Sequence, residues 1–446
     1  MALHEEFLIG RRKWLTITAA YAVRCVIPGR QLAAQSGALP RQPRIERIIQ
    51  TFSDQGFHRT GTTVDQASAN WLRDQVRQLG LDAQLEPFSI NRVDPVTAAL
   101  VVDGRRIEGV PLFDAAFTDQ EGVRGRLGSL NSEASIGITD LVPNAAGTGA
   151  LGAARKQSVH KAIVCMTRGG RPGLCPSNAD SFLAPFGPPV LQLSDEHSQW
   201  LTELAQRGAE ATVIASVKRT PATPFNVTTT VAGSDRSLPP LVIMTPRSGW
   251  YWCASERGGG IACWLELIRE LRDAKPARDV VFVASSGHEL GHLGINAFVD
   301  RRPGIVSRSV AWMHLGANIG AANAVVAQPA ANPTTAVAPS ASLPAARGNT
   351  IQSSDDAMQR LLERALAAHN LSVGVRMPHD RVPGGEAEVV HRGGGRYVSV
   401  IGSNLLFHNP ADRGSAVSDA RVIARFVDAF AGIATDLASK PAPPKA

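Results

Sequence analysis

The sequence predicts an α/β protein with a mostly parallel central sheet and flanking helices, interrupted by an inserted β-rich domain. Three observations predict it. Val280-Val281-Phe282-Val283-Ala284 is an apolar, β-branched run without a polar break, the pattern of a strand buried on both faces of a parallel sheet. From Phe225 onward such runs alternate with helical stripes, which implies parallel strands joined by crossover helices. Between Val96 and Pro224 the texture shifts to Gly, Ala, Ser and short apolar runs separated by turn signals.

A chain of 446 residues with 44% hydrophobic and 19% charged residues is globular and has room for two or three domains. The net charge of +7 does not make it a nucleic-acid binder, because the basic residues are scattered and aromatics are only 5%. No stretch after the amino terminus approaches the roughly 18 apolar residues that a membrane span needs.

Residues 1–34 read as a twin-arginine-type signal: Gly10-Arg11-Arg12-Lys13-Trp14-Leu15-Thr16, an apolar stretch from Leu15 to Val23, and Leu32-Ala33-Ala34 at the cleavage position. Such a signal implies a periplasmic or secreted protein; a disordered tail is the alternative. Residues 35–95 open the main domain. There Asp65 to Leu79 sets Trp71, Leu72, Val76 and Leu79 on one helical face, with Gly80 where a C′ glycine belongs. Leu81 to Ile90 alternates as an edge strand does.

Residues 96–224 form the insert, with strands at Lys161 to Met166 and Pro189 to Leu193 and a turn at Gly169-Gly170-Arg171-Pro172-Gly173. His160 and His197 read as structural or solvent-facing, since no second ligand stands at useful spacing. Residues 225–440 carry strands at Leu241 to Met244, Val280 to Ala284 and Val310 to Met313, and a helical stripe of Ile261, Trp264, Leu265, Ile268 and Leu271. Helices follow at Asp355 to Ala368 and Ser418 to Ile433, after an irregular Ala- and Pro-rich excursion from Ala317 to Arg347. Cys165, Cys175, Cys253 and Cys263 read as buried thiols, while the pairings Cys165–Cys175 and Cys253–Cys263 stay open on spacing alone.

Chemistry arrives at the end of the central strand, in His288-Glu289-Leu290-Gly291-His292. In open α/β sheets ligands bind at that carboxyl edge. One reading is the His-Glu-x-x-His string, in which His288 and His292 on one helix hold zinc and Glu289 activates water. The strand running almost to His288 opposes it, as do Ile295 and Phe298 where the longer form of that motif has Gly and His.

The other reading comes from four stretches. Phe225-Asn226-Val227-Thr228-Thr229-Thr230-Val231-Ala232-Gly233, Ala254-Ser255-Glu256-Arg257-Gly258-Gly259-Gly260, Ser286-Gly287-His288-Glu289-Leu290-Gly291-His292-Leu293-Gly294 and Leu406-Phe407-His408-Asn409-Pro410-Ala411-Asp412 stand in the order of motifs in a known family. From Phe52 to Ile433 the chain resembles the zinc aminopeptidase and glutamate carboxypeptidase family, to which the transferrin receptor ectodomain also belongs.

The resemblance implies a zinc-peptidase-like fold, a protease-associated domain at 96–224, and hydrolysis of a small amide or peptide substrate. It also implies roles by position. Pro246 and Ser248 replace a His-x-Asp pair, with Arg247 between them; Glu256 takes the bridging carboxylate's place, His288 the general base's, Glu289 the ligand glutamate's and His314 that of a further aspartate, while His408 is retained. The expectation is one zinc ion on Glu256, Glu289 and His408, since three ligands plus water make a catalytic centre. His288 is then the general base, and His314 and Arg247 face the oxyanion. His379, Asp380, Glu386, Glu388 and His391 read as a surface loop. A metal-free binding protein on the same fold is the competing reading, because Pro246 cannot ligate.

Overall fold

The computed structural model describes residues 39–322 and 348–439. The signal reading at 1–34 and most of the 317–347 excursion lie outside them.

Two eight-stranded sheets organise the chain. The first runs, in spatial order, Ala83–Pro87, Phe225–Val231, Val280–Ser285, Leu241–Pro246, Ala311–Leu315, Tyr397–Ile401, Asn349–Ser353, Val373–Arg376. Its four middle strands are parallel, and strands paired antiparallel flank them on both sides. From Leu241–Pro246 the chain moves to Val280–Ser285 on one side and then to Ala311–Leu315 on the other. That reversal is a topological switch point, and it opens a crevice at the strands' carboxyl ends.

Helix Gly258–Ala274 packs on the sheet through Ile261, Trp264, Leu265, Ile268 and Leu271, all buried as their spacing predicts. Each such side chain contributes on the order of 1.5–3 kcal/mol by leaving water. Helix Ala420–Ser439 lies against it, and helix Arg41–Ser53 is pinned to both. Arg44 grips the buried Glu266 carboxylate with Nε at 3.0 Å and Nη2 at 2.5 Å, and Arg41 reaches Glu270 and Asp428. Helix Thr63–Gln78 buries Leu72 and Val76, ends at Leu79 and leaves through Gly80 at φ 79°. Among the described residues no helix is long and apolar enough to cross a membrane.

The second sheet runs Arg105–Glu108, Ile90–Val102, Glu210–Ala222, Val123–Ser129, Ile136–Leu141, Ala162–Thr167, Val190–Ser194, Val110–Pro111. Ile90–Val102 and Glu210–Ala222 pair antiparallel from Ile90↔Ala222 to Val102↔Ala211, so the chain enters and leaves this sheet side by side. The register shifts at Pro95, which has no N–H to give the ladder. Two expectations differ here. The segment from Leu81 to Ile90 is not one strand: it stops at Pro87, and Ile90 starts the second sheet. The insert is also less purely β than its texture implies, with a parallel core and helices at Gly149–Gln157 and Ser198–Gln206. Helix Gly149–Gln157, rich in Ala and Gly, gives only a weak stripe, and Ser198–Gln206 is short enough for its buried Leu201 and Leu204 to pass as part of a β-rich texture. Inside it, both ring nitrogens of buried His160 meet backbone carbonyls of Ala134 and Leu130. Cys165, Cys175, Cys253 and Cys263 are all buried free thiols.

Candidate active site

Four parallel strands deliver the polar residues to one edge. Leu241–Pro246 runs into Arg247 and Ser248, Val280–Ser285 into His288 and Glu289, Ala311–Leu315 carries His314, and Tyr397–Ile401 carries Ser399. Helix Gly258–Ala274 begins just after Glu256 and Arg257. The segment after Val280–Ser285 turns through Gly287 at φ 81° and Gly291 at φ 78°, conformations that L side chains rarely adopt. A Cβ on Gly291 would also meet Asp180 O at 2.6 Å, so the insert closes directly over this turn. His288–Leu290 is a single 3₁₀ turn, His292 sits at φ 60°, and the helix starts only at Leu293. The His-Glu-x-x-His reading therefore fails, because its two histidines do not share a helix.

The polar residues at this edge form two groups. In the first, every carboxylate oxygen is bonded. Glu289 Oε1 accepts from Thr60 N at 2.8 Å and Thr60 Oγ1 at 2.7 Å, and Oε2 accepts from Ser248 Oγ at 2.6 Å. Ser248 Oγ accepts in turn from the amides of Gly287 and His288. Asp65 takes Arg247 Nη1 at 2.8 Å, the amide of Gly61 at 2.8 Å and the hydroxyl of Ser286. Arg247 also donates to the carbonyls of Asp65 and Phe225.

The second group is buried just as deeply but is not paired off. Glu256, Arg257, His314 and His408 are 1% exposed, Glu386 is 0% and His288 6%. Yet Glu256 Oε1, Glu386 Oε2, His288 Nδ1, His314 Nε2, His408 Nε2 and both Nη atoms of Arg257 have no hydrogen-bond partner. Buried polar atoms are bonded in the great majority of cases, so seven exceptions in one cluster call for a ligand or a reaction.

Each side chain is nevertheless fixed. His408 Nδ1 donates to Pro176 O at 2.6 Å, which leaves Nε2 as the lone-pair nitrogen of the neutral ring, 3.6 Å from Glu256 Oε1. His314 Nδ1 meets Ser399 Oγ at 2.8 Å. Glu386 Oε1 accepts from Ser285 Oγ and lies 3.7 Å from His288 Nδ1. Arg257 Nε donates to Ser248 O at 2.8 Å, while Nη2 contacts Glu256 Oε1 at 2.8 Å as an ion pair without hydrogen-bond alignment. Asp412 accepts from the amides of Ser255 and Glu256 at 2.7 and 2.9 Å and so holds the turn that presents both Glu256 and Arg257. His408 itself is at φ 56°, a left-handed backbone that costs a non-glycine residue on the order of 1 kcal/mol or more and marks a position held for its side chain.

Burial dominates the titration of the cluster. It lowers His288 well below the usual histidine range, with Arg257 adding to the effect, and takes His314 to about 3; desolvation of the ring also takes His292, a neighbour outside the cluster, to about 4. His408 is lowered by burial against the pull of Glu256. All four rings are neutral at pH 7. Burial pushes Glu386 up to about 7, against the hydroxyl of Ser285, and Asp412 likewise up to about 7.

Of the residues singled out in the sequence, Glu256, His288, His314 and His408 come together. Glu289 does not join Glu256 and His408 as a third ligand, because its oxygens are committed to Thr60 and Ser248. Arg247 points away into the Asp65 network and does not face an oxyanion. Glu386, read as part of a surface loop, is fully buried against His288. Arg257 was not singled out, although its place one residue after Glu256, at a helix start, was the available signal.

No family model and no curated protein matches this chain. Solved structures do. A zinc aminopeptidase from Bacillus subtilis shares 16% identity at a TM-score of 0.68, over 90% of this chain and 95% of its own. An aminopeptidase from Aneurinibacillus sp. strain AM-1 shares 15% at 0.63, over 91% and 96%. A peptidase M28 precursor from Shewanella amazonensis shares 16% at 0.69, over 93% and 98%. At such identities the likeness is one of fold, and this chain has the zinc-aminopeptidase fold.

Proposed function

We propose that the protein is a peptidase-like hydrolase of an amide or peptide bond, exported on the strength of its Arg11-Arg12 signal pattern and carrying residues 96–224 as a protease-associated-like insert. One observation carries the reading. At the carboxyl edge of the parallel strands, where this fold binds ligands, seven buried polar atoms stand fixed in place without a hydrogen-bond partner, two of them, Glu256 Oε1 and Arg257 Nη2, meeting only as an ion pair.

The zinc in the name of the Bacillus subtilis aminopeptidase does not fit the residues of this chain as they stand. The expected ligands Glu256, Glu289 and His408 do not converge, Pro246 offers no donor, and among the described residues no group of three His, Cys, Asp or Glu side chains is placed to hold an ion. No step is therefore routed through zinc. The chain's own residues supply proton transfer and charge. Glu386, with its raised carboxyl, is poised to exchange a proton near neutral pH, which a His288 lowered this far is not. His288 beside it, as a neutral ring, orients, and the Arg257 guanidinium is the positive charge that a carbonyl oxygen would meet.

A panel of aminoacyl-anilides, N-acyl amino acids and short peptides, incubated with the purified chain and read by mass spectrometry, tests this. Turnover by the wild type, lost in Glu386→Gln, is the expected result; no turnover of any compound removes the hydrolase. A binding protein is the second reading, favoured by how nearly the cluster is sealed, His288 at 6% being its most exposed member.

A further inference from the structure

We propose that Arg257 takes the place of a metal ion in this protein: its guanidinium holds the oxygen that an ion would need, and so keeps zinc out. The oxygen is Glu256 Oε1. It faces His408 Nε2 at 3.6 Å, and the carbonyl of Pro176 fixes that nitrogen as a lone-pair donor. Two tetrahedral zinc ligands at about 2.0–2.2 Å from the ion lie roughly 3.3 Å apart, so this pair alone has nearly the right opening. Arg257 Nη2, however, stands 2.8 Å from the same oxygen.

The guanidinium is anchored there. Its Nε donates to Ser248 O at 2.8 Å, the whole residue is 1% exposed, and the backbone before Gly258 is held by Asp412 through Ser255 and Glu256. A guanidinium is always charged, so no pH change withdraws the repulsion between it and a dication. Arg257 also bears electrostatically on His288, His292, His314 and His408, and so opposes an ion anywhere among these rings. The remaining piece fits: Ser248 binds both Arg257, through its carbonyl, and Glu289, through its hydroxyl, so one residue holds the cation in and the would-be third ligand away.

The test is zinc uptake by the full chain, measured by equilibrium dialysis and plasma mass spectrometry, with circular dichroism and a thermal melt to establish that each variant is folded. Wild type and Arg257→Lys are expected to retain no zinc. Arg257→Met, of similar volume but uncharged, gains zinc affinity by at least about tenfold, and the double variant Arg257→Met/His408→Ala loses that gain. Zinc retained by wild type and lost in His408→Ala overturns the proposal. So does a folded Arg257→Met that binds no more than wild type. The inference rests on the hydrolase reading only for the use made of the charge. Zinc uptake is read without substrate, so a failed substrate panel and a failed metal test are separate results.

Discussion

Two buried arginines, ten positions apart at the same sheet edge, have opposite surroundings. Arg247 pairs with Asp65 and donates to two backbone carbonyls, and the carboxylates of its neighbourhood accept bonds at every oxygen. Arg257 has one bonded nitrogen, a misaligned contact to Glu256, and free acceptors around it. The difference separates scaffold from site. A network whose carboxylates have their hydrogen bonds made, with only the Nε of Arg247 left over on that arginine, holds the turn between Ser285 and Leu293. A network with fixed geometry and unmade bonds is held in readiness for something else.

The same kind of substitution is therefore expected to have different consequences on the two sides. The largest effect is expected at Arg247→Met, which leaves the carboxylate of Asp65 buried and unpaired. Breaking such a pair costs about 3–5 kcal/mol, seen as a lower urea midpoint. A loss under about 1 kcal/mol would show that the first network is not scaffold. Next comes Glu289→Gln, which turns an amide N–H₂ toward donors at Thr60 or Ser248 and is expected to cost about 1–3 kcal/mol by the same urea titration. Were Glu289 a metal ligand instead, the substitution would spare stability and remove zinc.

Legibility in the sequence divides along the same line. The strand Val280–Ser285, the stripe on helix Gly258–Ala274 and the Gly80 stop were readable because burial repeats with the period of the element. His288 was readable as a candidate from its place at a strand's carboxyl end, and Glu256, His314 and His408 from their positions in the motifs of the family that the chain resembles. The partners were not. Thr60 and Glu289 are 229 positions apart, His408 and Pro176 are 232, and nothing in local pattern encodes such a pairing. Glu386 was missed for the same reason: a Gly-Gly-Glu stretch reads as a loop, and only the tertiary fold shows that Gly385, at φ 65°, passes so close to His314 that an added Cβ would lie 2.9 Å from the ring.

Glu386→Gln carries the comparison to the unpaired side. Folding raises this carboxyl from 4.5 to about 7 through burial, so between those values the folded state holds more protons than the unfolded one. Stability therefore falls as pH rises through that window and levels off above it; Asp412, raised from 3.8 to about 7, slopes the same way. The Gln variant removes the Glu386 part of the slope. It is expected to be at least as stable as wild type at pH 8 and to lose hydrolysis, the reverse of Glu289→Gln. Melts from pH 4 to 8 check it, and an unchanged slope in the variant would place Glu386 outside the cluster.

The smallest effect is expected at His292, which separates the cluster from a neighbour that merely lies next to it. Its ring centroid is 5.0 Å from that of His288, but the residue is only half-buried and belongs to neither network. What the position requires is its backbone, at φ 60°, and asparagine accepts the left-handed region better than most residues. His292→Asn should therefore shift the melt by no more than about 0.5 kcal/mol and leave turnover near the wild-type rate. A loss of turnover as deep as that of Glu386→Gln would draw His292 into the site and move its boundary out to the surface of the turn, where the insert's Asp180 backbone already touches Gly291.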